Sequence, residues 1–184
     1  MEKGLALLCG AEIPGELIFK PIAQIAGAGR LVLVVDGDNS FRSYRIAHYA
    51  REMNFDPRLT LARVQVSRAF TCYQLAETVE RLDRRADTAN CAGIVCLGLL
   101  ATFYDEDVAL PETQRLLQEV LTYLKLLADR FLVLVTVRPP PSKARSRVGL
   151  IHALMQQANA IRLLQPDPIY ELPAQIPLRL SSGR

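Results

Sequence analysis

Two glycines near the N-terminus have the spacing of a site for phosphate. Gly10-Ala-Glu-Ile-Pro-Gly15-Glu-Leu17 follows a short apolar run, Leu5 to Cys9, and precedes a segment with helical spacing. Gly-x4-Gly is the pattern of a loop whose backbone amides cradle phosphates. It ordinarily continues with lysine, which reaches the outer phosphates, and serine or threonine, which holds magnesium. Here Glu16 and Leu17 stand at those positions. A carboxylate ~4 Å from a phosphate oxygen, at an effective dielectric of ~20, repels it by about 4 kcal/mol. Leu17 offers no metal ligand. Gly10 and Gly15 therefore read as a vestigial phosphate loop, or as an ordinary strand-to-helix turn, with no cofactor and no metal expected.

The second candidate is basic. Arg138, Pro139-Pro-Pro141, then Lys143, Arg145 and Arg147 place four cations within ten residues of a proline-rich loop. Such a loop can contact phosphates, with affinity that falls as salt rises. No aromatic residue is interleaved, so base stacking is not expected. A solvated loop is the plainer alternative. The cysteines (Cys9, Cys72, Cys91 and Cys96) form no C-x-x-C pair, and His48 and His152 are the only histidines. That is poor arithmetic for zinc. Three of the four lie in or beside apolar segments and read as small hydrophobes in a reducing compartment.

The elements that must position these residues alternate between two periodicities. Leu31 to Val35 is apolar at every residue, the signature of a strand buried on both faces. Leu5 to Cys9, Gly93 to Leu99 and Leu132 to Val137 read the same way, and Arg63 to Ser67 alternates as a half-buried strand. Helical spacing appears at Leu17 to Ala26, at Ile46, Ala47, Ala50 and Met53, at Leu75, Val79, Leu82 and Ala86, and from Thr113 to Phe131. Ser40 or Ser43 is the expected cap of the second helix. Asp56-Pro57 breaks the chain, a helix follows from about Val148 to Gln157, and Ala160 to Leu164 with Ile169 to Leu172 suggest a C-terminal β-hairpin. Strands alternating with helices specify an α/β fold around a mainly parallel sheet.

The sequence has 184 residues, 50% of them hydrophobic and 22% charged, with a net charge of +3. That fits one globular domain, expected over residues 1–172, followed by a Pro-rich, partly frayed tail over 173–184. No signal peptide or apolar run long enough for a membrane span is visible. A cytoplasmic protein is expected.

The segment Asp36-Gly-Asp-Asn-Ser-Phe-Arg-Ser-Tyr-Arg45, the helix after it, and Arg63 to Phe70 together resemble the ATPase core of the RadA-type recombinases within the RecA superfamily. That family carries D-x-E-x-x-F-R-x-x-R, a helix, and then a strand ending in A-R-A-F. The resemblance is close from about Leu31 to Leu82. It continues through Phe103-Tyr104 and the long helix ending Leu-Ala-Asp-Arg-Phe131. It implies a RecA-like P-loop NTPase fold. It also implies roles that this sequence alters. The family's water-activating glutamate corresponds to Asp38, its metal-associated aspartate to Gly98, and its Asn-Gln sensor to Val137-Arg138. With Glu16 and Leu17, these departures imply a pseudo-ATPase. Phe41, Arg42, Arg45, Arg68 and Phe70 persist, as packing and ion pairs or as part of a subunit interface.

In the family, DNA is held by two loops at the sheet's carboxyl ends. By the resemblance these are the acidic Tyr104 to Asp107 and the basic Arg138 to Arg147, so weak contact with single-stranded DNA is implied for Arg138, Lys143, Arg145 and Arg147. The family's polymerisation motif, Phe-x-x-Ala, does not occur in the sequence. The implied function is a non-catalytic accessory protein in DNA recombination or repair, binding a recombinase, a paralogue or DNA, with an oligomer possible. Two alternatives stay open. One is a RecA-fold regulator outside recombination, by fold analogy with the cell-division inhibitor SulA. The other is a residual ATPase.

Overall fold

The computed structural model describes residues 3–88 and 90–171. The apolar runs form β1 (Gly4–Cys9), β2 (Leu31–Asp36), β3 (Val64–Arg68), β4 (Cys91–Leu97), β5 (Leu132–Val137) and β6 (Ala160–Leu163). The amphipathic segments form α1 (Glu16–Gly27), α2 (Ser43–Glu52), α3 (Pro57–Ala62), α4 (Cys72–Thr88), α5 (Leu110–Ala128) and α6 (Val148–Met155). The strands make one sheet in the order β3-β2-β4-β5-β1-β6. Every pairing in it is parallel.

The strand sequences explain the layering. Side chains alternate across a strand, so an all-apolar strand must be covered on both faces. In β2, Leu33 and Val35 join the core that includes Leu75 and Val79 of α4, Leu117 and Val120 of α5, and Leu150 of α6. Val32 and Val34 join the opposite core, with Ile18, Phe19 and Ile22 of α1 and Ile46 of α2. A three-layer α/β/α arrangement follows. It brings the carboxyl ends of β2, β4 and β5 side by side, where loops in such folds form ligand crevices.

Several local expectations change. The C-terminal hairpin does not form: β6 pairs in parallel with β1, and Pro168–Tyr170 is a short 3-10 turn. Tyr170 is buried there and its hydroxyl donates to Val137 O, so this segment packs on the sheet end instead of pairing as a strand. Leu172 and the tail over 173–184 lie outside the described residues. Asp56-Pro57 does not merely interrupt the chain. Asp56 accepts from Arg58 N at 2.7 Å and Leu59 N at 3.1 Å, and Pro57 opens α3 at a position where a missing N–H costs nothing. Neither Ser40 nor Ser43 caps α2: Arg42 precedes its first turn without a side-chain cap, and Ser43 is its first residue. Pro21 lies in the second turn of α1 and is tolerated there. β3 is more exposed than alternation suggested, because it is an edge strand with only β2 beside it, and Val66 faces solvent.

Candidate functional site

The turn after β2 is built around one buried carboxylate. Asp36 accepts Ser40 N at 2.9 Å, Phe41 N at 3.3 Å and Arg68 Nε at 3.1 Å. Asn39 adopts a left-handed conformation, φ 55°, which a short polar side chain tolerates. The turn closes tightly and directs Asp38 across the sheet end. Phe41 packs edge-on against Phe19 of α1, their rings 6.1 Å apart, which anchors the far side of the turn.

Asp38 then meets the ends of two other strands. Its Oδ2 accepts from Arg138 Nη1 at 2.8 Å, and its side chain is only 9% exposed. Between them lies Gly98, immediately after β4, with φ +55°. A Cβ on Gly98 would stand 2.2 Å from Asp38 Cγ, well inside contact distance. Gly98 N donates to the buried Thr136 Oγ1 at 2.7 Å, which fixes its backbone. Position 98 therefore carries no carboxylate and, with Asp38 where it is, has no room for one. Asp38 points at an internal guanidinium.

The Gly10–Gly15 loop is tied to the end of β5 at its first residue and leads directly into α1. Gly10 N donates to Val137 O, Leu17 N to Pro14 O, and Ile18 N and Phe19 N to Gly15 O. Arg45, from α2, lies over Gly15 so closely that a Cβ there would be 2.1 Å from a guanidinium nitrogen. The side of the loop facing α2 is lined by Glu12, Glu16, Arg45 and Tyr49. Glu16 is exposed at the start of α1, where its charge complements the helix dipole.

The four cations of the second candidate separate into three roles. Arg147 is 5% exposed, not on a solvated loop, because residues Ser142–Arg147 wind into a 3-10 helix that turns it inward. It donates to Phe103 O and Thr113 Oγ1, both at 2.9 Å, and to Val108 O at 2.5 Å. Arg147 therefore ties the segment after β4 to the segment after β5 and is not placed for phosphate contact. Arg138 is paired with Asp38. Lys143 and Arg145 are exposed.

A cavity of about 590 Å³ opens at these strand ends, with Asp38, Phe70, Thr102, Asp105, Arg138 and Lys143 in its lining. Tyr104 braces its floor by donating to Arg138 O at 2.9 Å, and burial pushes that phenol far above its ordinary range. Thr102 Oγ1 is buried with no hydrogen-bond partner among the described residues. Phe70 is 71% exposed on the rim. In the sequence Phe70 stands with the framework residues, and no aromatic is interleaved among the cations. They come together only because β3 and β5 end on the same edge of the sheet. The thiols of Cys9 and Cys96 are pushed up to about 12 by burial and lie within the core. Among the described residues, no three His, Cys, Asp or Glu side chains converge.

Comparison with protein families gives a match to the family described as Rad51 over residues 18–149. The matched span runs from α1 to the first residues of α6 and includes Asp38, Gly98 and Arg138.

Proposed function

Because the chain belongs to the Rad51 family, we propose that it is a non-catalytic accessory member, acting in DNA recombination or repair by binding a recombinase, a paralogue or DNA. The observation that carries this reading is the closed arrangement of Asp38, Gly98 and Arg138. Phosphoryl transfer from ATP needs a metal beside the phosphates and a polar side chain free to orient the attacking water. Asp38 is instead neutralised by Arg138, and its carboxyl group fills the space next to Gly98. Glu16 and Leu17 supply neither the lysine nor the hydroxyl that a triphosphate and its magnesium require.

Binding is supported by surfaces that remain open. The outer edge of β3 is unpaired among the described strands, and Val66 on it and Leu59 on neighbouring α3 are exposed. A free strand edge with apolar side chains beside it can accept an extended segment from a partner. The cation-bearing cavity at the other end of the strands is the surface for nucleic acid. The core over residues 1–172, a cytoplasmic location and the absence of cofactor belong to the same proposal.

Equilibrium binding to a purified recombinase from the same cell tests it. Saturable binding that weakens at least tenfold on Val66→Lys supports the accessory reading. Failure to bind the recombinase, together with saturable binding to a cell-division protein, would favour the regulator outside recombination.

A further inference from the structure

A second concavity lies at the opposite end of the sheet, where the strands begin. Its volume is about 770 Å³, within the range of ligand sites, about 300–1,000 Å³. One side is α1, through Ile25 and Ala28. The other is the start of β5, through Leu132 and Phe131 just before it. Ile25, Phe131 and Leu132 are half-buried, so the floor is apolar and only partly covered. The charged groups in the lining are Lys3, Arg30 and Arg130, and no carboxylate is among them.

The three cations are placed differently. Arg130 bonds Asp83 at 2.6 Å and lies 4.9 Å over the Phe131 ring, so it serves as a wall. Arg30 is fixed by the end of α1. Gly29, φ +91°, turns the chain there, and Arg30 N donates to Ile25 O at 3.2 Å. The Arg30 guanidinium donates to Cys91 O at 3.3 Å and pairs with no carboxylate among the described residues. Helix C-termini attract cations, and α1 and α5 both end on this side, beside Arg30 and Arg130. Lys3 belongs to neither helix. It precedes β1, is exposed, and has no carboxylate partner among the described residues.

Arg30 precedes β2 and Lys3 precedes β1. Two strands, β4 and β5, lie between them, which sets their backbones about 14 Å apart at ordinary strand spacing. The apolar floor lies in that interval. A matching ligand carries an anionic group on each side of an apolar one. An extended peptide meets this requirement, since residues i, i+2 and i+4 project to one face and span about 13 Å. A nucleic-acid strand carries a charge at every residue and would lay phosphate over the apolar floor.

We propose that this groove docks an extended acidic segment of a partner protein, of the pattern acid-x-apolar-x-acid. Its carboxylates meet Arg30 and Lys3, and its apolar side chain lies on Ile25 and Phe131. The surface is separate from the β3 edge and from the cavity at the carboxyl ends of the strands. The proposal does not depend on the recombination reading.

The test is fluorescence anisotropy of a labelled peptide with Glu-Ser-Phe-Ser-Glu at its centre, titrated with the full chain. Variants are checked for native circular dichroism. Saturable binding is expected at about 150 mM salt. Lys3→Gln and Arg30→Gln should each weaken it about threefold or more. Ala28→Trp sets an indole into the groove from an exposed position and should abolish detectable binding. Two altered peptides need no change in the protein. Replacing both Glu by Gln, or Phe by Ser, should weaken binding about tenfold or more. Val66→Lys lies on the β3 edge and should leave the peptide affinity unchanged, so failure here is distinguishable from failure of the accessory reading. No saturable binding by the wild type, wild-type affinity in Lys3→Gln, Arg30→Gln or Ala28→Trp, or equal binding of the Gln peptide would each overturn the proposal. So would labelled oligo-dT bound more tightly than the peptide and weakened by the same Lys3 and Arg30 changes, which would make the groove a nucleic-acid site.

Discussion

Asp38 and Arg138 are 100 residues apart in the chain and 2.8 Å apart in the fold. One leaves the carboxyl end of β2 and the other the carboxyl end of β5, and β4, the strand between those two, is followed at once by Gly98. Their pairing depends on that glycine. A side chain at 98 would occupy the space of the Asp38 carboxyl group.

That dependence makes a measurable coupling. Gly98→Ala introduces a Cβ at φ +55° and against Asp38, and should cost about 1–3 kcal/mol in urea denaturation from backbone strain alone. Combining it with Asp38→Gly, which removes both the carboxyl group and the Cβ that would lie 2.4 Å away, should recover part of the loss, a coupling of at least about 0.5 kcal/mol in the double-mutant cycle. Strict additivity would show that the two positions do not compete for space.

Arg147 is predicted to be a strut. Arg147→Met removes three donors and leaves Phe103 O, Val108 O and Thr113 Oγ1 without them. The expected loss is about 3 kcal/mol or more, with faster proteolysis between residues 105 and 109. An unchanged urea midpoint, with weaker binding to single-stranded DNA, would restore Arg147 to the phosphate-contacting role its sequence position suggested.

All four cysteines are free and buried. Burial holds the thiols of Cys9 and Cys96 up at about 12 and raises those of Cys72 and Cys91 above their ordinary value. The thiolate is the reactive form. A thiol-titrating disulfide reagent at pH 8 should therefore react slowly with the native protein and fully after denaturation. Rapid labelling of the native protein would contradict this packing.

The cap of α3 gives a signed pH dependence. Hydrogen bonds from Leu59 N and Arg58 N hold the Asp56 carboxyl below the usual carboxylate range. A carboxyl depressed by folding stabilises the native state above its unfolded pKa, and that contribution is lost as pH falls through the folded one. Asp56→Asn should flatten the acid limb of stability against pH and leave the slope near pH 7 unchanged. An acid limb as steep as the wild type's would place the titration elsewhere.

The layered α/β fold was legible because its central strands are apolar at nearly every residue, and such strands are buried in covered parallel sheets. Residue types also carried the reading of Glu16, Leu17 and Gly98 as departures from the family's pattern, which remains a proposal. Tertiary relationships were less visible. A run of four cations looks uniform in sequence, but a short 3-10 helix turns Arg147 inward while Lys143 and Arg145 face water. Phe70 gave no local sign of a role, since its neighbours in the cavity, Ala69 apart, come from segments 28 or more residues away. The expected hairpin failed because β6 found β1, and Pro168–Tyr170 was drawn onto the end of the sheet by burial of Tyr170.

The most direct test of the central claim is a calorimetric titration of the protein with ATP and magnesium, with phosphate release followed in the same samples. The closed Asp38–Arg138 arrangement and the residues at 16 and 17 predict no saturable heat in the micromolar range and no phosphate release above the protein-free rate. Saturable micromolar binding that requires magnesium, with turnover lost on Asp38→Asn, would contradict it.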